Sequence, residues 1–162
     1  MFWFRHLSED TGCCPRFDPE PWDGRELTLQ DRLFVRDSVW AFWHLPLDTW
    51  RVMSRDIARI KQAGALPGDP LVLCEERSLW RTDVYIAVSK EVPGTEMVRI
   101  PGNFLSKAFE GPYGDLGKWV ASMKKYVHSR GSEVKKVYFY YTTCPDCARV
   151  YGKNYVVILA MI

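Results

Sequence analysis

The sequence predicts an α+β fold built from two βαββ halves, with a curved antiparallel sheet, two helices on one face and a ligand cleft on the other. A repeated segment is the first observation: Phe109–Tyr113 recurs in weakened form 66 residues earlier as Trp43–Leu47. The second observation is that each copy is followed by a helical apolar pattern and then by two strand-like runs. The third is size, since 162 residues with 47% hydrophobic content can bury one sizeable core.

The first segment, residues 1–30, is predicted to be an extended arm. Three prolines fall within residues 15–21, which excludes a helix or a central strand there. Phe17 and Trp22 are the side chains expected to hold this arm against the rest of the chain. Residues 31–162 are then predicted to form a single domain.

The first half, about residues 31–94, begins with a strand predicted over residues 32–44. A helix should follow Pro46 and end near Gly64, because apolar residues recur there at spacings of three and four. Two short β-type runs at residues 71–75 and 84–88 predict a hairpin. The expected apolar face of the helix consists of Trp50, Met53, Ile57 and Ile60.

The second half, about residues 95–162, repeats this order. Residues 97–109 predict a strand, and Gly111-Pro112 turns the chain into a second helix that should stop at Gly131. The runs at residues 137–141 and 155–162 predict the closing hairpin. The second helical face is expected to contain Leu116, Trp119, Val120, Met123 and Val127.

Charge and cysteine content narrow the classes of function. The net charge is only +2, and basic and acidic residues are interspersed, so neither nucleic acid nor a membrane surface is expected as a partner. The first ten residues contain several charges and are therefore not expected to be a signal peptide. Five cysteines, an odd number, favour reduced thiols. We expect a cytoplasmic protein that is a monomer or a weak homodimer.

The repeated βαββ order, with Gly111-Pro112-Tyr113 leading into the second helix, resembles the GyrI-like small-molecule-binding family over about residues 30–162. Some stand-alone members of that family hydrolyse the cyclopropane ring of cyclopropapyrroloindole DNA alkylators, which they hold in an aromatic cage. The resemblance implies a cofactor-independent hydrolase of planar hydrophobic xenobiotics. It equally allows a non-catalytic protein that sequesters such molecules.

The resemblance also implies which residues form the site. The family commonly places a Glu inward two residues before a Tyr in the final hairpin, and here both positions are tyrosines, Tyr138 and Tyr140. The expected catalytic residues are these two tyrosines and Glu76, which the 66-residue repeat offset, rather than the resemblance, predicts on the same face in the other half. Glu75 and Glu110 are alternatives. The residues expected to contact a ligand are Trp43, Trp80, Tyr85, Phe109 and Tyr113.

A Cys-x-x-Cys motif leaves a third function open. Cys144 and Cys147 have the spacing of a thiol–disulfide oxidoreductase, although little chain follows them to form the helix that such a motif needs. Together with Cys13 and Cys14 they could instead supply four thiolates to zinc. The simplest interpretation is a tight hairpin turn that carries reduced thiols.

Overall fold

The computed structural model describes residues 16–42, 45–46, 49–142 and 145–162, and side chains within them except for 42–50 and 143–147. The α+β class and the antiparallel pairing of the strands are confirmed. Among the described residues, no helix has the length and apolar character needed to cross a membrane. The elements are β1 (Arg25–Phe42), β2 (Leu45–Pro46), α1 (Thr49–Gln62), β3 (Val72–Ser78), β4 (Arg81–Ala87), β5 (Glu96–Glu110), α2 (Leu116–Ser129), β6 (Lys136–Tyr141), α3 (Pro145–Tyr151) and β7 (Tyr155–Met161).

The chain divides into two compact units, Gln30–Pro101 and the remainder. In the first unit, which we call the Gln30 unit, β4 lies between β1 and β3 with antiparallel pairing on both sides. Helix α1 lies on the sheet face that carries Asp37, since Arg55 of the helix forms an ion pair with that residue. Because side chains alternate along a strand, the two neighbours of Asp37, Arg36 and Ser38, point to the face opposite α1.

Both long helices end as the sequence predicts. Gly64 has φ +64°, and the backbone N–H of Ala65 donates to the carbonyl of Ile60. Gly131 has φ +77° after α2, and Ser132 donates to Val127 in the same way. A glycine suits these positions because it adopts positive φ without a steric penalty. The predicted core residues Met53, Ile57, Ile60, Trp119, Met123 and Val127 are buried.

The second unit, which we call the Gly102 unit, consists of the described residues up to Leu29 together with Gly102–Ile162. Strand β7 pairs with β5 on one side and with β6 on the other. The rings of Phe109 and Trp119 stack at 5.7 Å, which places α2 on the face that carries Phe109. Tyr138 and Tyr140 lie on the opposite face, since the β6–β7 register pairs them with Leu159 and Val157.

The structure corrects two boundaries. Strand β1 begins at Arg25, so residues 25–30, which we expected within the arm, already pair as strand, consistent with the alternating apolar and polar residues there. Between β6 and β7 lies a third helix, α3, where we predicted a tight turn. Pro145 is tolerated at the first helical position because no hydrogen bond is required from its nitrogen. Gly152, with φ +69°, follows the helix.

The Gly-Pro-Tyr segment has a physical explanation in the Gly102 unit. Gly111 adopts φ +146°, and a Cβ atom there would lie 3.1 Å from Cζ2 of Trp119. Its N–H donates to the carbonyl of Asn154, and the Asn154 side-chain amide donates to its carbonyl, at 3.0 and 2.9 Å. The position therefore requires glycine for both its conformation and its close packing.

Asp56 of α1 gives the Gln30 unit a pH-dependent stability. Its carboxyl is 1% exposed. Burial and then the nearby charge of Asp37 raise its pKa to about 6, although Arg55 partly offsets this. Since the folded-state pKa lies above that of an unfolded aspartate, the folded state binds the extra proton, and stability is lost as the pH rises from about 4 to 6.

We predict that Asp56→Asn stabilises the protein by about 1–3 kcal/mol at pH 7.5, because the amide places no charge in the same buried position. Urea denaturation from pH 4 to 8 should show that the variant has lost the decline in unfolding free energy between about pH 4 and 6. Lower stability of the variant at pH 7.5 would contradict this account of the carboxyl.

Candidate active site

A cluster of polar side chains occupies the face opposite α1 in the Gln30 unit. Its centre is Asp83, which is 0% exposed and pairs in register with Ser38 of β1 and Glu75 of β3. Arg36 donates to Oδ2 of Asp83 through Nη2 at 2.7 Å, and Arg77 donates through Nε at 2.7 Å. The Ser38 hydroxyl donates to Oδ1 at 2.7 Å. Three adjacent strands or strand ends thus converge on one carboxylate.

The partners of Asp83 keep it ionised. Burial alone would raise its pKa, but the hydrogen bonds from Arg77, Ser38 and Arg36 outweigh burial and lower the pKa to about 2. Arg81 lies 3.6 Å from the same carboxylate and donates to the Ser38 hydroxyl at 2.9 Å. A carboxylate with such a low pKa is a poor proton acceptor, so Asp83 acts here as a structural counterion.

The second carboxylate of the cluster, Glu75, has a different environment. It is 6% exposed and accepts a hydrogen bond of 2.7 Å at Oε2 from the Tyr85 hydroxyl. Its Oε1 lies 3.7 Å from Nη1 of Arg77, the same guanidinium that binds Asp83. The aromatic ring of Tyr85 in turn packs edge-on against Phe34 at 6.5 Å. Glu75 is thus a buried carboxylate oriented by a tyrosine and an arginine.

This arrangement suits general acid–base chemistry. One carboxylate, Asp83, pairs with the arginines and positions them, while the other, Glu75, accepts a hydrogen bond from the Tyr85 hydroxyl. A positioned Glu can accept a proton from water, and a tyrosine hydroxyl can donate a hydrogen bond to developing negative charge. Sequence reasoning missed the arginines and Asp83, because cross-strand pairing brings them together rather than any motif.

Glu76 lies on the other face of β3. Cys74, two residues before it, is buried on that same face, which α1 covers. Burial, and then the charge of Glu76, raise the pKa of the Cys74 thiol to about 12. Cys74 therefore stays protonated at neutral pH and does not supply a thiolate nucleophile. The 66-residue offset selected Glu76, whereas its neighbour Glu75 lies with Tyr85 on the face opposite α1.

The structure distributes the remaining predicted residues between the two units. Tyr85 belongs to the polar cluster, and Trp80, at the turn between β3 and β4, is 51% exposed. Phe109 stacks on Trp119 on the α2 side of its sheet, and Tyr113 packs edge-on against Tyr141 at 5.8 Å on that same side. Both thus lie on the face opposite to Tyr138 and Tyr140. Trp43 is outside the described residues.

Trp40 is an aromatic residue that sequence reasoning did not select. It pairs with Arg81 in register, follows Ser38 on the face opposite α1, and is 70% exposed. Phe34, Arg36, Ser38 and Trp40 are two residues apart along β1 and therefore share one face. This spacing is the signal by which the sequence could have indicated Trp40.

The side chains of the predicted zinc site and of the redox motif lie outside the described part of the chain. Within it, no group of three or more His, Cys, Asp or Glu side chains is placed to hold a metal ion. Cys13, Cys14 and Cys144 lie outside the described residues, and Cys147 belongs to α3 without a described side chain. The zinc and oxidoreductase hypotheses therefore stay predictions.

Comparison with known families identifies the chain. A family described as bacterial hydrolases matches residues 4–162, and the chain belongs to that family. This membership indicates a hydrolase-type function. No curated protein matches the chain.

Solved structures share the fold. A hydrolase from Listeria innocua is 11% identical, with 85% of this chain and 90% of that chain covered and a TM-score of 0.60. An uncharacterized conserved protein from the same organism is also 11% identical, with 84% and 90% covered and a TM-score of 0.60. The C-terminal domain of EcmrR is 10% identical, with 86% and 96% covered and a TM-score of 0.61. At these identities the likeness concerns the fold alone.

Proposed function

We propose that the protein is a cofactor-independent hydrolase of planar hydrophobic organic molecules and that Glu75 activates the attacking water. The observation that carries this proposal is the buried pair of Glu75 and Tyr85, joined by a 2.7 Å hydrogen bond on the face opposite α1. Membership of the bacterial hydrolase family supports the reaction class. So does the shared fold with a Listeria innocua protein described as a hydrolase.

The substrate class rests on the resemblance to GyrI-like proteins, and we propose the cyclopropane ring of cyclopropapyrroloindole alkylators as the bond that is cleaved. Water adds its oxygen to the least substituted ring carbon, and the carbon–carbon bond that breaks leaves its electron pair on the conjugated carbonyl. Glu75 takes the proton from water, and the resulting phenolate is protonated to complete the net addition of one water. A tyrosine hydroxyl is suited to stabilise the charge on that oxygen.

The roles within the site follow from the contacts. Tyr85 holds Glu75 by its hydroxyl, and Arg77 holds the other oxygen at 3.7 Å, so the carboxylate has a defined orientation. Asp83 holds Arg77 and Arg36 through hydrogen bonds of 2.7 Å. For the Gly102 unit by itself, Tyr138 and Tyr140 are proposed as ligand contacts because of the resemblance to GyrI-like proteins.

Mass spectrometry in ¹⁸O-labelled water tests hydrolysis. With a cyclopropapyrroloindole in excess over the protein, we expect many turnovers of a product that contains one added water with the heavy oxygen. Stoichiometric uptake of the compound without that product would overturn the proposal and support a sequestering protein instead. The same incubation without protein gives the spontaneous rate of ring opening.

A further inference from the structure

In the Gly102 unit, residues 16–24 cover the sheet face opposite α2, and we call this segment the strap. The ring of Trp22 lies 5.3 Å from that of Tyr140 at an angle of 59°. Phe17 contacts two rings of the same face, Tyr140 edge-on at 6.2 Å and Tyr155 at 5.6 Å. Tyr140 thus packs against two aromatic side chains of the strap at once.

Polar contacts also join the strap to this face. The hydroxyl of Ser106, which is 0% exposed, donates to the carbonyl of Trp22 at 2.6 Å. The N–H of Ala108 donates to the Asp23 side chain at 3.3 Å. Inside the strap, the N–H groups of Trp22 and Asp23 both donate to the carbonyl of Pro19 and form a local turn.

The composition of the strap matches this mode of attachment. Its prolines remove backbone donors and prevent it from joining the sheet as a strand. Its adhesion therefore depends on two half-buried aromatic side chains and on Arg16, whose guanidinium lies 4.6 Å from the centre of the Tyr151 ring. Such a contact is local, since releasing the strap need not disturb the pairing of β5, β6 and β7.

We propose that the strap is an internal ligand, and that the face it covers binds planar aromatic molecules of about the size of an indole when the strap is displaced. The face already accommodates an indole, that of Trp22, against Tyr140. A free planar ring can make the same offset or edge contacts. Because the strap competes for this face, the apparent affinity of an added ligand is reduced by the fraction of molecules in which the strap is bound. This inference does not depend on the proposed hydrolysis.

The test is a fluorescence titration with 1-aminoanthracene, a neutral planar dye, followed by displacement with indole. The double variant F17A/W22A should bind the dye at least about tenfold more tightly than the native chain, because the competing rings are gone. The matched control is Glu20→Gln, an exposed strap residue, which should bind as the native chain does. Adding Tyr140→Ala to the double variant should abolish the gain.

Two results would overturn the inference. One is equal dye affinity of the native chain and the double variant, and the other is a gain that survives Tyr140→Ala. Hydrogen exchange on the native chain provides a measurement that does not depend on the folding of any variant. Saturating dye should accelerate exchange of the Ala108 amide, which donates to the Asp23 side chain of the strap, whereas unchanged protection would count against displacement.

Discussion

Replacing Glu75 by Gln is expected to lower kcat for ring hydrolysis at least about 100-fold, which is the usual contribution of a general base. The amide keeps the size of the side chain and can still accept the hydrogen bond from Tyr85, but it cannot take a proton from water. KM should change little, because substrate contacts are retained. Steady-state kinetics and a thermal melt of the same preparation separate lost chemistry from lost folding.

Glu76→Gln is the matched comparison. The two residues are adjacent and of the same type, but Glu76 is on the face that α1 covers, so its replacement should alter kcat less than about threefold. Tyr85→Phe should give an intermediate loss of about tenfold, since it removes only the hydroxyl that orients Glu75. A large loss in Glu76→Gln together with an active Glu75→Gln would refute this assignment.

Replacing Asp83 by Asn is expected to destabilise the fold by about 3 kcal/mol, the lower part of the range for breaking a buried ion pair. The variant loses the charge that Arg36 and Arg77 both bind, and an amide cannot replace it. The lower value is appropriate because these arginines are partly exposed, by 24% and 41%, and can regain some hydration. Urea denaturation at pH 7 gives the difference directly.

The pH dependence of the native chain provides an independent check. The pKa of Asp83 in the folded protein is about 2, below that of an unfolded aspartate. Its contribution to stability is therefore present above about pH 4 and is lost as the pH falls towards 2, by about 2 kcal/mol. Asp83→Asn should lack this part of the acid dependence.

Asp69→Asn is the control for Asp83. Asp69 also pairs with an arginine, Arg32, at 3.0 Å, but its side chain is 82% exposed. Exposed ion pairs contribute under about 1 kcal/mol, so this variant should unfold nearly as the native chain does. If both variants lost the same free energy of unfolding, burial would not explain the importance of the Asp83 ion pairs.

Local sequence patterns predicted most of the fold. The spacing of Met53, Ile57 and Ile60 and the glycine after each long helix reflect interactions within one turn or one strand, which a single sequence displays. Helix α3 was missed because seven residues provide too short a period to recognise. The early start of β1 was missed because the prolines of the arm dominated the interpretation of the residues that follow.

The candidate site was harder to predict for a reason of geometry. A shift of one residue along a strand moves a side chain to the other face of the sheet. The repeat offset selected Glu76 of β3, whereas alternation places its neighbour Glu75 beside Tyr85. The convergence of Arg36, Arg77 and Ser38 on Asp83 depends on cross-strand register, which one sequence without relatives does not reveal.

The reactivity of the buried Cys74 thiol reports transient opening of the Gln30 unit. A thiol with a pKa of about 12 and 5% exposure does not react with alkylating reagents while the sheet and α1 remain packed. Its labelling rate therefore measures how often that packing is lost under native conditions. With the other four cysteines replaced by serine, Cys74 would be the single thiol of the chain. Its alkylation rate could then be followed without any substrate or dye.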